Sequence, residues 1–135
     1  MGVQEFDFSS GKTLNPHRKQ AIVLSDCNNS GDLLERRIRN NHYKFLGKTS
    51  ELREALEWIR KFKIGVLFLD VDLENIESIP LLEVLKKKAP DFQVVLMSQA
   101  PTKELLTQGQ SSGAAGFLVK PLEAEMVDKA IERIK

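Results

Sequence analysis

The sequence predicts a three-layer α/β sandwich, and three observations carry that prediction. Short continuous apolar runs recur along the chain: Ala21-Ile-Val-Leu, Ile64-Gly-Val-Leu-Phe-Leu, Val94-Val-Leu-Met and Phe117-Leu-Val. Runs rich in Val, Ile, Leu and Phe read as strands buried on both faces, which is the mark of a parallel sheet covered by helices. Between the runs lie segments with helical spacing, so strand and helix alternate five times, with right-handed crossovers as the default. Each run also ends in a reactive polar residue: Ser25-Asp26, Asp70, Ser98 and Lys120-Pro121. Ligands of open parallel sheets bind beyond the carboxyl ends of the strands. Parallel neighbours would therefore bring Asp26, Asp70, Ser98 and Lys120 to one small polar pocket. Two carboxylates, a hydroxyl and an ammonium suit a divalent cation and a phosphoryl group.

The elements follow in order. Residues 1–19 are polar and punctuated by Ser9-Ser10-Gly11 and Asn15-Pro16, with Phe6 and Phe8 as the apolar anchors, and read as a flexible leader ahead of one domain at 20–135. Strand 1 covers 21–25 and helix 1 covers 32–40. A weaker strand 2 is expected near 43–46. Thr49 or Ser50 suits the N-cap of helix 2, whose Leu52, Leu56, Ile59 and Phe62 follow helical spacing. Strand 3 is 64–70. Helix 3 runs over 80–88, with Pro80 tolerated in its first turn and Pro90 just past its end. Strand 4 is 93–98, and a short helix 4 at 102–108 meets the breaker Gln110-Ser-Ser-Gly113. Strand 5 is 116–119. Helix 5 at 123–134 lines up Met126, Ala130, Ile131 and Ile134 on one face.

Bulk properties exclude several classes. A chain of 135 residues fits one domain with a real core. A net charge of +1 gives no global field for nucleic acid. The longest basic run, Lys86-Lys87-Lys88, falls at a helix end, where cations suit the macrodipole. Cys27 is the single cysteine, so no intrachain disulfide forms; it reads as a loop thiol in a reducing, cytoplasmic setting. No stretch has the length of a membrane span or the pattern of a signal peptide.

From Ala21 to the C-terminus the sequence resembles the receiver domains of two-component response regulators. The apolar strand ending in Asp70 and the block Gly113-Ala-Ala-Gly-Phe-Leu-Val-Lys-Pro121 carry the resemblance, together with the spacing from Asp70 to Ser98 and Lys120. It implies the flavodoxin-like (CheY-like) strand order 2-1-3-4-5, which the apolar pattern alone leaves open. It implies Asp70 as phospho-acceptor, and Mg²⁺ as cofactor, bound by Asp26, Asp70 and the backbone carbonyl of Asp72. Ser98 and Lys120 would each bind a phosphoryl oxygen, and Phe117 would be the switch aromatic. The implied partners are a histidine kinase or phosphotransfer protein, and a downstream effector on the surface of helix 4, strand 5 and helix 5, where a homodimer would also form. Direct contact with nucleic acid or membrane is not expected, and the role is that of a signalling module rather than an enzyme.

The sequence also departs from that family pattern. Ser25 stands where the first of two adjacent acids is usual, which removes one charge from the acidic cluster. Glu74 replaces a common proline, Ser78 a glycine, and Gln99 a small residue beside the phosphoryl entrance. Two other readings therefore stand beside the phosphorylated switch. One is a degenerate pseudo-receiver acting through phosphorylation-independent protein interaction. The other is a small α/β phosphate or cofactor binder using the polar loop Ser25-Asp-Cys-Asn-Asn-Ser-Gly31, although that loop lacks the glycine spacing of a nucleotide fingerprint.

Overall fold

The computed structural model describes residues 19–134 except 27 and 75, and the side chains of 28–30 are likewise outside the description. The leader anchors Phe6 and Phe8 and the thiol of Cys27 thus fall outside the described residues. Among the described residues ten elements alternate: β1 (Gln20–Leu24), α1 (Asn28–Asn40), β2 (Lys44–Thr49), α2 (Leu52–Phe62), β3 (Gly65–Asp70), α3 (Ser78–Lys88), β4 (Phe92–Ser98), α4 (Lys103–Ser111), β5 (Gly116–Val119) and α5 (Ala124–Ile134). The strands form one sheet in the order β2-β1-β3-β4-β5, every neighbouring pair parallel.

Alternation along each strand divides the core into two layers. Ala21, Val23, Val66 and Phe68 face Leu34 and Ile38 of α1 and Val127 and Ile131 of α5. Ile22, Leu24, Leu67 and Leu69 face Ala55 and Ile59 of α2 and Leu82 and Leu85 of α3. β3 lies at the centre and all six of its residues are buried, which is why its sequence is a continuous apolar run. Each such side chain contributes about 1.5–3 kcal/mol on burial. On the first layer, Arg37 of α1 donates both Nε and Nη2 to Asp128 of α5 at 2.8 and 2.6 Å, and Asn41 Nδ2 adds a third bond at 3.0 Å.

The differences from the sequence expectation have local causes. α1 starts at Asn28 rather than 32, because Asn-Asn-Ser-Gly continues as helix; buried Gly31 leaves room for the stem of Lys48, which a Cβ would strike. β2 extends to Thr49, with an irregularity in register where Phe45 pairs Ala21 and Gly47 pairs Ile22. A Cβ on Gly47 would stand 2.9 Å from the Trp58 ring, so glycine permits that contact. Neither Thr49 nor Ser50 is the N-cap of α2. Glu51 takes that position without a side-chain cap bond, while Thr49 Oγ1 accepts the Glu51 N–H at 3.0 Å. α4 runs through Gln110 to Ser111, and the chain turns at Gly113, whose φ of +99° favours glycine. Thr102 caps α4 by accepting the Leu105 N–H at 3.0 Å. The three lysines 86–88 fill the last turn of α3, as expected.

Candidate functional site

Strand register builds the site. β1 and β3 pair Leu24 with Leu69, so the next step sets Ser25 beside Asp70. β3 and β4 pair Asp70 with Met97, and the Val71 N–H continues that ladder onto the Met97 carbonyl at 2.9 Å. β4 and β5 pair Ser98 with Val119, and the Lys120 N–H donates to the Ser98 carbonyl at 2.8 Å. The carboxyl ends of four strands therefore finish level. Lys120-Pro121, which follows β5, is a cis peptide.

Asp70 is fully buried. Burying an ion costs several kcal/mol unless it is paired and its lone pairs are satisfied. Here both conditions are met. Lys120 Nζ donates to both carboxylate oxygens at 2.9 Å, Ser25 Oγ donates to Oδ2 at 2.7 Å, and the Asp72 N–H donates to Oδ1 at 2.9 Å. That last bond closes an Asx turn, in which an aspartate bonds the backbone two residues on.

The turn reverses the chain and brings in a second carboxylate. Asp72 Oδ2 lies 3.0 Å from Lys120 Nζ and accepts the Gln99 N–H at 2.9 Å, while Oδ1 accepts from Ser98 Oγ at 3.1 Å. Ser98 Oγ in turn accepts the Ala100 N–H at 3.2 Å. Asp72 keeps 37% of its side-chain exposure, against 12% for Lys120. Burial raises the Asp72 carboxyl pKa, but bonds from the Gln99 N–H, Lys120 and Ser98 outweigh it and hold the carboxyl below its ordinary value. Burial likewise pulls the Lys120 ammonium down, and its bonds and attraction to Asp70 and Asp72 outweigh that and raise it.

Of the residues singled out in the sequence, Asp70, Ser98 and Lys120 gather as expected. Asp26 is exposed and lines a shallow cavity of about 290 Å³ with Ser50, Glu51, Leu52, Leu73 and Ile76. Phe117 is half-buried and packs on the core layer shared with α2 and α3. Two contributions escaped the sequence reading. Ser25 bonds the Asp70 carboxylate itself, and the side chain of Asp72, expected only to supply a carbonyl and to add negative charge beside the site, is a hub of the pocket. The Asp-x-Asp spacing at a strand end was the available signal, since Asx turns fold back at that separation.

The resemblance implies Mg²⁺ at this site. Among the described residues no group of three His, Cys, Asp or Glu side chains could hold a metal. Mg²⁺ takes one or two carboxylates and keeps several waters, so it needs no such cluster. Asp26, just past β1, Asp70, at the end of the neighbouring β3, and the Asp72 carbonyl in the turn are the hard oxygen groups that would hold it. They fit the ion at the lower limit of its protein ligation.

Comparison with known proteins agrees with this geometry. Residues 22–132 match the response regulator receiver domain family. The chemotaxis protein CheY of Thermotoga maritima is 21% identical over 116 residues, covering 86% of this chain and 97% of that protein. The transcriptional regulatory protein MctR of Rhizobium johnstonii is 23% identical over 94 residues, covering 70% of this chain and 44% of that one. The chain thus spans nearly all of one relative and under half of the other. A crystal structure of a response regulator from Thermotoga maritima superposes with a TM-score of 0.78 at 20% identity, covering 87% of this chain and 97% of that one. The family match, which takes in all five strands from Ile22 onward together with Asp70, Ser98 and Lys120, places the chain among the response regulator receiver domains.

Proposed function

We propose that this receiver domain is a phosphorylation-controlled signalling switch with Asp70 as acceptor. The observation that supports it most is a fully buried Asp70 carboxylate bonded through both oxygens to Lys120 at 2.9 Å. An Asp70 oxygen attacks the phosphorus of a phosphohistidine on a histidine kinase or phosphotransfer protein. The P–N bond breaks as the O–P bond forms, the imidazole leaves with the electron pair and takes up a proton, and an aspartyl phosphate remains. Bound Mg²⁺, on Asp26, Asp70 and the Asp72 carbonyl, would neutralise charge between the carboxylate and the incoming group. Lys120 holds the charge of the acceptor before transfer and of a phosphoryl oxygen after it. Ser98 Oγ donates to a second oxygen, and Phe117 repacks as Ser98 moves.

The readout is a population shift on the surface of α4, β5 and α5, where an effector or a second copy docks. Leu106 and Val119, both 43% exposed, lie there. Among the described residues no helix is long and apolar enough to cross a membrane, which agrees with a cytoplasmic role. Incubation with acetyl phosphate and Mg²⁺, read by intact mass, should phosphorylate wild type and leave Asp70→Asn unmodified. Labelling of that variant, or none of wild type while an ordinary receiver labels, would overturn the reading. The second reading, a pseudo-receiver acting by constitutive interaction, is favoured by one observation: Asp72 already engages Ser98, Gln99 and Lys120.

A further inference from the structure

The three donors that would receive an incoming anion all point at a carboxylate of the chain itself. They come from three places: Ser98 Oγ at the end of β4, the Gln99 N–H in the loop that follows, and Lys120 Nζ after β5. Asp72 accepts from all of them with two oxygens, at 2.9–3.1 Å. A hydroxyl, a backbone N–H and an ammonium converging on anionic oxygens form a pocket for a tetrahedral or fluoroberyllate oxyanion equivalent. The donors are protein-wide in origin, whereas the occupant is one side chain on a turn.

We propose that Asp72 is an internal competitor for the phosphoryl pocket, so that any entering phosphoryl group must first displace its carboxylate. This inference rests on the receiver reading above and names the residue that sets how readily that site is filled. The geometry suits displacement. Asp72 retains 37% exposure and sits two residues beyond the strand, so its side chain can rotate to solvent without disturbing the buried Asp70. Its backbone N–H stays on Asp70 Oδ1, so the turn survives the rotation. Asp70, by contrast, is fixed by Ser25 and Lys120 and cannot vacate the pocket. Like charge adds to the competition, because a dianionic phosphoryl group and a resident carboxylate cannot share the same three donors.

The test is a titration with beryllium fluoride at fixed Mg²⁺, followed by amide NMR, on wild type, Asp72→Ala, Asp72→Asn and the double variant Asp70→Asn with Asp72→Ala. Both Asp72 variants keep the backbone carbonyl assigned to the metal. Asp72→Ala should bind at least tenfold tighter than wild type. Asp72→Asn, whose amide accepts through one oxygen and repels Lys120 through its NH₂, should fall between them. The Gln99 amide resonance should move in Asp72→Ala before any ligand is added. Equal affinity for wild type and Asp72→Ala, or weaker binding by the variant, would overturn the competitor role and leave the receiver reading standing. Undiminished binding by the double variant, or no binding by any folded variant, would overturn the receiver reading, and this inference with it. Dispersed amide spectra establish folding, and Asp72→Asn serves if the alanine variant does not fold.

Discussion

Lys120 and Asp70 should show strong, asymmetric coupling in stability. In Lys120→Met the stem is retained, but the ammonium that satisfies a fully buried carboxylate is gone. Asp70 would keep only the Ser25 hydroxyl and the Asp72 N–H. Breaking a buried pair by removing one partner costs about 3–5 kcal/mol, because the other charge stays behind in a poor solvent. That is a large part of the roughly 5–15 kcal/mol that holds a domain of this kind together. Asp70→Asn should cost far less, about 0–2 kcal/mol, since Lys120 still has Asp72 at 3.0 Å and the amide oxygen still accepts hydrogen bonds. The double variant removes both charges and should recover most of the loss, giving a coupling of about 2–3 kcal/mol. Urea unfolding of the four proteins measures this, with equal slopes required so that midpoints report stability. Additive single effects, or Asp70→Asn costing as much as Lys120→Met, would refute the account of a buried pair sustained mainly by Lys120.

Two further outcomes are expected. The Arg37 hydrogen bond, helped by the Asn41 bond and the guanidinium charge, outweighs the opposing effect of burial and holds the Asp128 carboxyl below its ordinary value. A lowered folded value means the contribution is complete above the ordinary carboxylate range and is lost as pH falls through the lowered one. The melting-temperature gap between wild type and Asp128→Asn should therefore be widest near neutral pH and close in strong acid; a gap constant from pH 7 to pH 3 would contradict the clamp. Separately, beryllium fluoride with Mg²⁺ should alter amide hydrogen exchange over 99–120 more than in α1 and α2. Gly109 is the one buried residue of α4, and elements with few buried contacts open most easily. Uniform protection, or change confined to the loop after β1, would show binding without a switch.

How much was legible in the sequence differs residue by residue, for physical reasons. β3 could be read directly, because a strand buried on both faces must be apolar throughout, and a carboxylate that ends such a run stands out. Ser98 and Lys120 could be placed beside Asp70 because parallel neighbours in register end level. The exact start of α1 could not, because Asn, Ser and Gly carry turn preferences that packing overrode at Gly31, where Lys48 lies across the helix. The cap of α2 lies at Glu51, one or two residues past the expected Ser50 or Thr49, and Thr49, a good cap type, is taken by the end of β2.

Asp72 marks the deeper boundary of such reading. Alternation says which way a side chain leaves a strand, and it stops applying at the first residue of a turn. From there the direction depends on which donors lie within reach. Those donors, the Ser98 hydroxyl, the Gln99 N–H and Lys120 Nζ, lie 26, 27 and 48 residues away along the chain, a separation set by 98, 99 and 120 against 72. Only the closed sheet brings them together. The same dependence explains why Ser25 matters more than its neutral charge suggested: with its hydroxyl 2.7 Å from Asp70, it stabilises that carboxylate where a second acid would have repelled it. The pocket therefore holds one acid fewer than the family pattern and a better-satisfied Asp70 carboxylate. On the proposed reading, displacement of the Asp72 carboxylate from Ser98, Gln99 and Lys120 is the step that admits an anion to those donors.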